Sequence, residues 1–222
     1  MNTMEILEDR RMLAVDPANF VDVVNNPYMP LLPGTVFVYK GQEDGKPALN
    51  ITTVTGQSKQ ILGVNVTVVH DRVYIKKKLA EDTLDWYAQD KQGNVWYFGE
   101  DSKEIENGQV VSTDGSWEAG VNGALPGIVM EAHPKRGDKY QQEFAGETAS
   151  DRAKVLSVRH RADVPFGAFT RVLQTKEFTP LEPGVVEQKY YARGIGFVRS
   201  VMVKGGNEEY KLVAIRYGGG GA

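Results

Sequence analysis

The stretch Asp85-Trp86-Tyr87-Ala88-Gln89-Asp90-Lys91-Gln92-Gly93-Asn94-Val95-Trp96-Tyr97-Phe98-Gly99-Glu100 reads as two strands joined by a Gly-Asn turn, and it holds two of the chain's three tryptophans. Aromatic and β-branched residues flank the turn, as suits a pleated, half-buried surface. The plan recurs near the C-terminus. Lys189-Tyr190-Tyr191-Ala192-Arg193-Gly194-Ile195-Gly196-Phe197-Val198 again sets an aromatic pair and an alanine before a short polar and glycine turn, then an apolar strand. With Gln89 opposite Asn94, Tyr87 faces Trp96 and Asp85 faces Phe98 on one side, while Trp86 and Tyr97 share the other. Large aromatics on both faces require cover on both, because exposed apolar area costs about 25 cal/mol per Å².

Outward from this hairpin, apolar and polar residues alternate with period two over 35–40, 48–56, 59–71 and 79–90. The remaining strands are placed at 139–144, 153–159, 169–178, 185–192, 196–203 and 208–216. Asn107-Gly108 marks a hairpin, since both central positions of a type I′ turn need positive φ. Residues 114–126 form a glycine-bearing loop packed through Trp117. The prolines at 27, 30 and 33 make residues 25–34 an extended entry loop into the first strand. No helical period persists over a dozen residues beyond the first 25, so the fold class is all-β and antiparallel.

The landmarks repeat. Gly34 and Gly137 each stand three residues before an aromatic, and Gly63 and Gly167 each stand 23 residues before Trp86 and Tyr190. This spacing indicates a tandem duplication of a β-meander, with halves at about 34–130 and 137–216. Such a sheet closes as a barrel or curls as a half-barrel, both of which limit exposed edges. The connection near 131–136 is too short for a linker, so residues 25–217 are expected as one β domain after a leader at 1–24 and before a glycine tail at 218–222.

Composition narrows the function classes. A net charge of −3 and no basic run beyond Lys76-Lys77-Lys78 leave no footprint for nucleic acid. The absence of cysteine excludes disulfides, thiolate metal sites and a cysteine nucleophile. No stretch nears the roughly 20 apolar residues of a membrane-spanning helix, so no membrane span is expected.

The face of the hairpin carrying Asp85, Tyr87, Gln89, Trp96 and Glu100 mixes acids, an amide and aromatic surface, a combination suited to a partly polar small molecule or a glycan. In the second half Lys189, Tyr191 and Arg193 take the places of Asp85, Tyr87 and Gln89, exchanging acid for base at the first of them. Lys189 and Tyr191 therefore join the candidate ligand-binding residues. A metal set is weighed at His70, Glu131 and His133, because zinc and copper accept imidazole and carboxylate. No motif for a nucleophile, phosphate loop or dinucleotide is present, so no catalytic residue and no cofactor is assigned. The alternatives are an enzyme using that metal set or the Asp85/Glu100 carboxylates as acid and base, and a structural module of the cell surface.

Residues 7–14, Leu-Glu-Asp-Arg-Arg-Met-Leu-Ala, resemble the N-terminal sorting segment of exported planctomycete surface proteins, with Met12 where leucine is usual. That resemblance implies an extracytoplasmic protein, secreted or at the cell surface. The segments Asn26-Pro27-Tyr28, Pro33-Gly34, 85–100, Gly115-Ser116-Trp117, Pro126-Gly127-Ile128 and Lys189-Tyr190-Tyr191-Ala192 are similar to a family of uncharacterised secreted bacterial β-proteins. The Tyr-Tyr-Ala hairpin also resembles the repeat of envelope β-barrels of the lipoprotein-carrier type. This likeness implies a curved sheet around an apolar ligand, and neither likeness implies a reaction.

Overall fold

In the computed structural model, which describes residues 15–218, tight turns fold the first half of the chain back on itself. Asp44-Gly45, Leu62-Gly63, Lys76-Lys77 and Asn107-Gly108 each place two successive residues at positive φ. That is the type I′ geometry, whose twist matches the strands it joins. The leading elements are β1 (Phe20–Val21), β2 (Val24–Asn26) and β3 (Met29–Leu31). A meander follows: β4 (Thr35–Glu43), β5 (Lys46–Ile61), β6 (Val64–Ile75), β7 (Lys78–Asp90) and β8 (Val95–Glu106). Short strands come next: β9 (Gln109–Ser112), β10 (Trp117–Glu118), β11 (Leu125–Met130), β12 (Lys139–Gln141) and β13 (Glu143–Phe144). A second meander ends the chain: β14 (Arg152–Val164), β15 (Gly167–Phe178), β16 (Val186–Ala192), β17 (Gly196–Lys204) and β18 (Glu208–Tyr217).

Along the sheet the order is β12-β14-β15-β16-β17-β18-β4-β5-β6-β7-β8-β11-β13. The meanders are joined where β18 pairs antiparallel with β4. Only Gln142 separates the two end strands, so one short segment pairs with β14 on one side and β11 on the other. That segment draws the edges together into a nearly closed antiparallel barrel. Gly127 permits the approach, since a Cβ there would lie 2.5 Å from the carbonyl oxygen of Gln141.

The all-β reading holds, and three local expectations change. Residues 59–71 are not one strand, because Leu62-Gly63 turns between β5 and β6. A leucine at φ +50° is uncommon enough that alternation conceals the turn. The proline-bearing entry segment contains a β2–β3 hairpin rather than a bare loop. Residues 16–24, assigned to the leader by sequence, contribute β1 along β7. The sorting segment at 7–14 and tail residues 219–222 lie outside the described residues.

Apolar packing divides into two clusters. One gathers Val24 and Leu31 of the β2–β3 hairpin with Phe37, Tyr39, Val69, Tyr191 and Leu212. The other sets Trp86 and Phe98 with Trp117 of β10, with Ala119 just after it, and with Phe20. Both faces of the aromatic hairpin are thus covered, as its composition requires.

Candidate functional site

Asp90, 3 % exposed, decides which side chains the aromatic hairpin turns inward. Its Oδ1 accepts from the backbone N–H groups of Gln92 and Asn94, and its Oδ2 accepts from Asn94 Nδ2 and Trp96 Nε1. These bonds draw Asn94 into the turn, so Gln89 pairs with Val95 instead of Asn94. A slip of one residue exchanges the faces of a strand. Tyr87 therefore lies opposite Tyr97, with the rings stacked at 4.9 Å, and Trp96 packs against Phe20. Beyond this pair Phe98 is an extra, fully buried residue, a β-bulge that returns Asp85 to face Glu100. Gly99 completes the bulge at φ +126°, where a Cβ would stand 2.2 Å from the carbonyl oxygen of Trp117.

The C-terminal hairpin has the same irregularity. Tyr191 pairs with Phe197, Tyr190 pairs with Arg199, and fully buried Val198 is the extra residue.

Across one end lies the β2–β3 hairpin. Asn26 Nδ2 donates to the carbonyls of Gly93 and Glu131, and the Gly194 N–H donates to the carbonyl of Pro27. Gln89 accepts from the Asn25 N–H and donates to the Asn25 side chain. The plug is tied in this way to the turns of both aromatic hairpins.

Beneath the plug lies a cavity of about 240 Å³. Its walls include Phe37, Tyr39, Tyr87, Tyr191 and Phe197, with Asp71, Asp85 and Lys189 among them. The side chains of Asp85, Tyr87, Lys189 and Tyr191 also border a second chamber of about 260 Å³, where Glu100, Gln142, Glu143, Asp151 and Glu177 are added. A wider recess of about 470 Å³ follows, reaching Glu147 and Glu182 in the loops before β14 and β16 and Glu187 on β16 itself.

Burial governs the electrostatics. It raises Asp71 to about 7, with nearby Asp85 adding to the rise and Thr52 and Asn50 opposing it as donors. Burial raises Asp85 to about 6 against the Tyr97 hydroxyl, which donates to it at 2.6 Å. Glu100 is pushed up to about 9 by burial and by Asp85 and Glu143. Glu143 rises to about 7 through burial and Asp151, although Trp117 Nε1 donates to it at 3.0 Å. Burial alone would lower the Lys189 ammonium, but Glu177 at 2.9 Å and Glu187 at 3.4 Å outweigh it and hold the group charged. This is the behaviour of carboxylates removed from water with too few cations to pair with.

Of the sequence candidates, Asp85, Tyr87, Lys189 and Tyr191 line the cavity and the chamber, and Glu100 lines the chamber. Gln89 and Trp96 are not on these walls. The first anchors the plug, and the second covers the outer face and donates to Asp90. His70, Glu131 and His133 are not brought together. His70 Nε2 lies 2.9 Å from Asp82 Oδ1, and His133 is exposed in the loop after β11. Among the described residues no three His, Asp or Glu side chains converge as a metal site.

Asp71, Gln142, Glu143, Asp151 and Glu177 also line the cavity or the chamber and are not among the sequence candidates. A signal existed for two of them: Asp71 follows Val69, and Glu177 follows Thr175, at the period-two spacing of inward positions.

No protein-family model and no curated protein matches the chain. Two solved structures resemble it. A proposed exported protein of YmcC-like fold from Bacteroides fragilis is 16 % identical with a TM-score of 0.50, the match covering 85 % of this chain and 98 % of that one. A proposed lipoprotein from Parabacteroides distasonis is 10 % identical with a TM-score of 0.49, over 86 % of this chain and 99 % of that one. The first likeness agrees with the barrel in fold. No helix among the described residues is long and apolar enough to cross a membrane.

Proposed function

We propose that this barrel is an extracytoplasmic binding protein that takes an amphiphilic small molecule into its interior. The apolar body of the guest lies among Tyr39, Tyr87, Tyr191 and Phe197, and its polar end meets Asp71, Asp85 and Lys189. The observation that carries this reading is the 240 Å³ space left under the plug, walled by aromatic rings with charged groups converging on it. Protein interiors are ordinarily close-packed, and a concave, mostly apolar space with a few polar groups is the usual form of a ligand site. Extracytoplasmic placement draws on the sorting-segment likeness of residues 7–14 and on the export named for the Bacteroides fragilis neighbour. We also read the two bulged hairpins as copies of one duplicated meander, since their bulges fall at matching places.

Octyl glucoside, which joins an alkyl chain to a sugar, and maltohexaose, a sugar alone, test this reading. Trp117, its ring 5.6 Å from Tyr97, is the native reporter. Octyl glucoside below its micellar concentration is expected to shift tryptophan emission saturably and to raise Tm. A flat response to both compounds would overturn the reading. A response to maltohexaose equal to that of octyl glucoside would make the guest a glycan instead of an amphiphile.

A further inference from the structure

We infer that the chamber beyond the cavity selects guests carrying a protonated amine with N–H donors, so that the polar end of the ligand is a primary or secondary ammonium group. This rests on the binding reading above and adds the chemical class of the polar end.

The first argument is charge. The charged groups facing the chamber are Asp85 on β7, Glu100 on β8, Glu143 on β13, Asp151 just before β14, Glu177 on β15 and Lys189 on β16. Lys189 is committed to Glu177 and to Glu187 at the edge of the recess. Asp85, Glu100, Glu143 and Asp151 make no ion pair among the described residues. One ammonium therefore serves more carboxylates than it can neutralise, and a second cation is the charge the chamber lacks. Buried carboxylates without a cation keep their protons, as the upward shifts at Glu100 and Glu143 indicate, and a cationic guest would displace those protons.

A second, independent argument is hydrogen bonding. Gln142, the residue between the two strands that close the barrel, lines this chamber and is 7 % exposed. Its Oε1 is buried with no donor. A buried acceptor left unpaired costs about 1–3 kcal/mol, so such groups ordinarily have partners. Turned about its last side-chain bond, the Gln142 amide would offer this oxygen to an N–H donor of a guest, whereas an alkylated cation carries charge but nothing to donate. Access is consistent with the same guest. Glu147, Glu182 and Glu187 give the neighbouring recess an acidic mouth, and a cleft lined by one sign of charge concentrates the opposite ion.

The experiment titrates the full chain with octylammonium, octyltrimethylammonium and octyl glucoside by calorimetry at pH 7. Octylammonium is expected to bind about tenfold more tightly than the other two, the size of one charge-assisted hydrogen bond. Its binding heat is expected to vary with the ionisation enthalpy of the buffer, which reports proton release. Gln142→Leu and Glu100→Gln should each reduce the preference for octylammonium. Should Gln142→Leu fail to fold, Gln142→Glu, which retains the acceptor and the shape, is expected to keep the preference. Equal affinity for octylammonium and octyltrimethylammonium would overturn the inference, as would a preference that survives Glu100→Gln undiminished. If octyl glucoside binds without any preference for the amine, only the inference falls. If none of the three binds, the general reading falls with it.

Discussion

The hairpins β7–β8 and β16–β17 have one backbone plan and two chemical characters. Each pairs inward aromatics, Tyr87 with Tyr97 and Tyr191 with Phe197, and each then accommodates one extra buried residue, Phe98 or Val198. Two residues before the first aromatic of each pair the charges are opposite, Asp85 in one and Lys189 in the other, and both line the same cavity. The difference extends to the stretches of chain around them. Residues 34–130 carry 9 Lys and Arg against 13 Asp and Glu, and residues 137–216 carry 13 against 10. What the pair teaches is that a bulge and an inward aromatic pair form the wall of the barrel in both hairpins, while the charge beside that pair differs between them.

The turns differ as well. β16–β17 closes through Arg193-Gly194-Ile195, whereas β7–β8 spans the wider loop around Asp90 that also holds Asn26 of the plug through the Gly93 carbonyl. The largest expected effect therefore belongs to Asp90→Ala. It leaves four donors without their acceptor and is expected to cost about 3–4 kcal/mol in denaturant unfolding. Arg193→Ala, at the other turn, serves as the comparison and should leave stability nearly unchanged.

The bulges offer a sharper contrast. Gly99 cannot carry a side chain because β10 crosses it, but Arg199 occupies the corresponding place with its guanidinium on Glu209. Gly99→Ala is expected to cost about 2–3 kcal/mol, since strain and overlap with Trp117 act together. An equal loss in both hairpins on substitution to alanine would mean that the two bulges are covered alike and that this contrast is wrong.

A third test concerns the uneven charge. Raised carboxyl pKa values mean that the folded state binds more protons than the unfolded state between about pH 4 and 9. The linkage sign is then negative, and stability falls as pH rises through the folded values of Asp85 near 6, Asp71 near 7 and Glu143 near 7. Unfolding free energy is expected to be lower at pH 8 than at pH 5 by at least about 2 kcal/mol. Glu100→Gln should flatten that profile, and a profile that rises toward pH 8 would contradict the account. A smaller effect than these is expected for Arg199→Ala. Its pair with Glu209 is part exposed, so the loss should stay below about 1 kcal/mol.

Much of this architecture is written in local pattern. Alternation places most strands, Asn107-Gly108 places a turn, and the matched aromatic motifs mark both hairpins. The site was less accessible. Asp85, Tyr87, Lys189 and Tyr191 follow from treating the hairpins as equivalent, whereas Gln89 and Trp96 join them only by assuming a register with Gln89 opposite Asn94. That assumption fails because a buried Asp90 offers better partners to Asn94 than the cross-strand residue does.

The sequence by itself determined that this is a period-two, aromatic-rich antiparallel protein without thiol chemistry, because those properties depend on neighbours along the chain. Tertiary structure decided the rest. It joined Asp71, Glu100, Glu143, Asp151, Glu177 and Lys189 in one interior, and it closed the barrel through the segment around Gln142. Proton affinity and cavity shape depend on groups far apart in sequence and close in space, and no local pattern encodes how much water each of them loses when the edges meet.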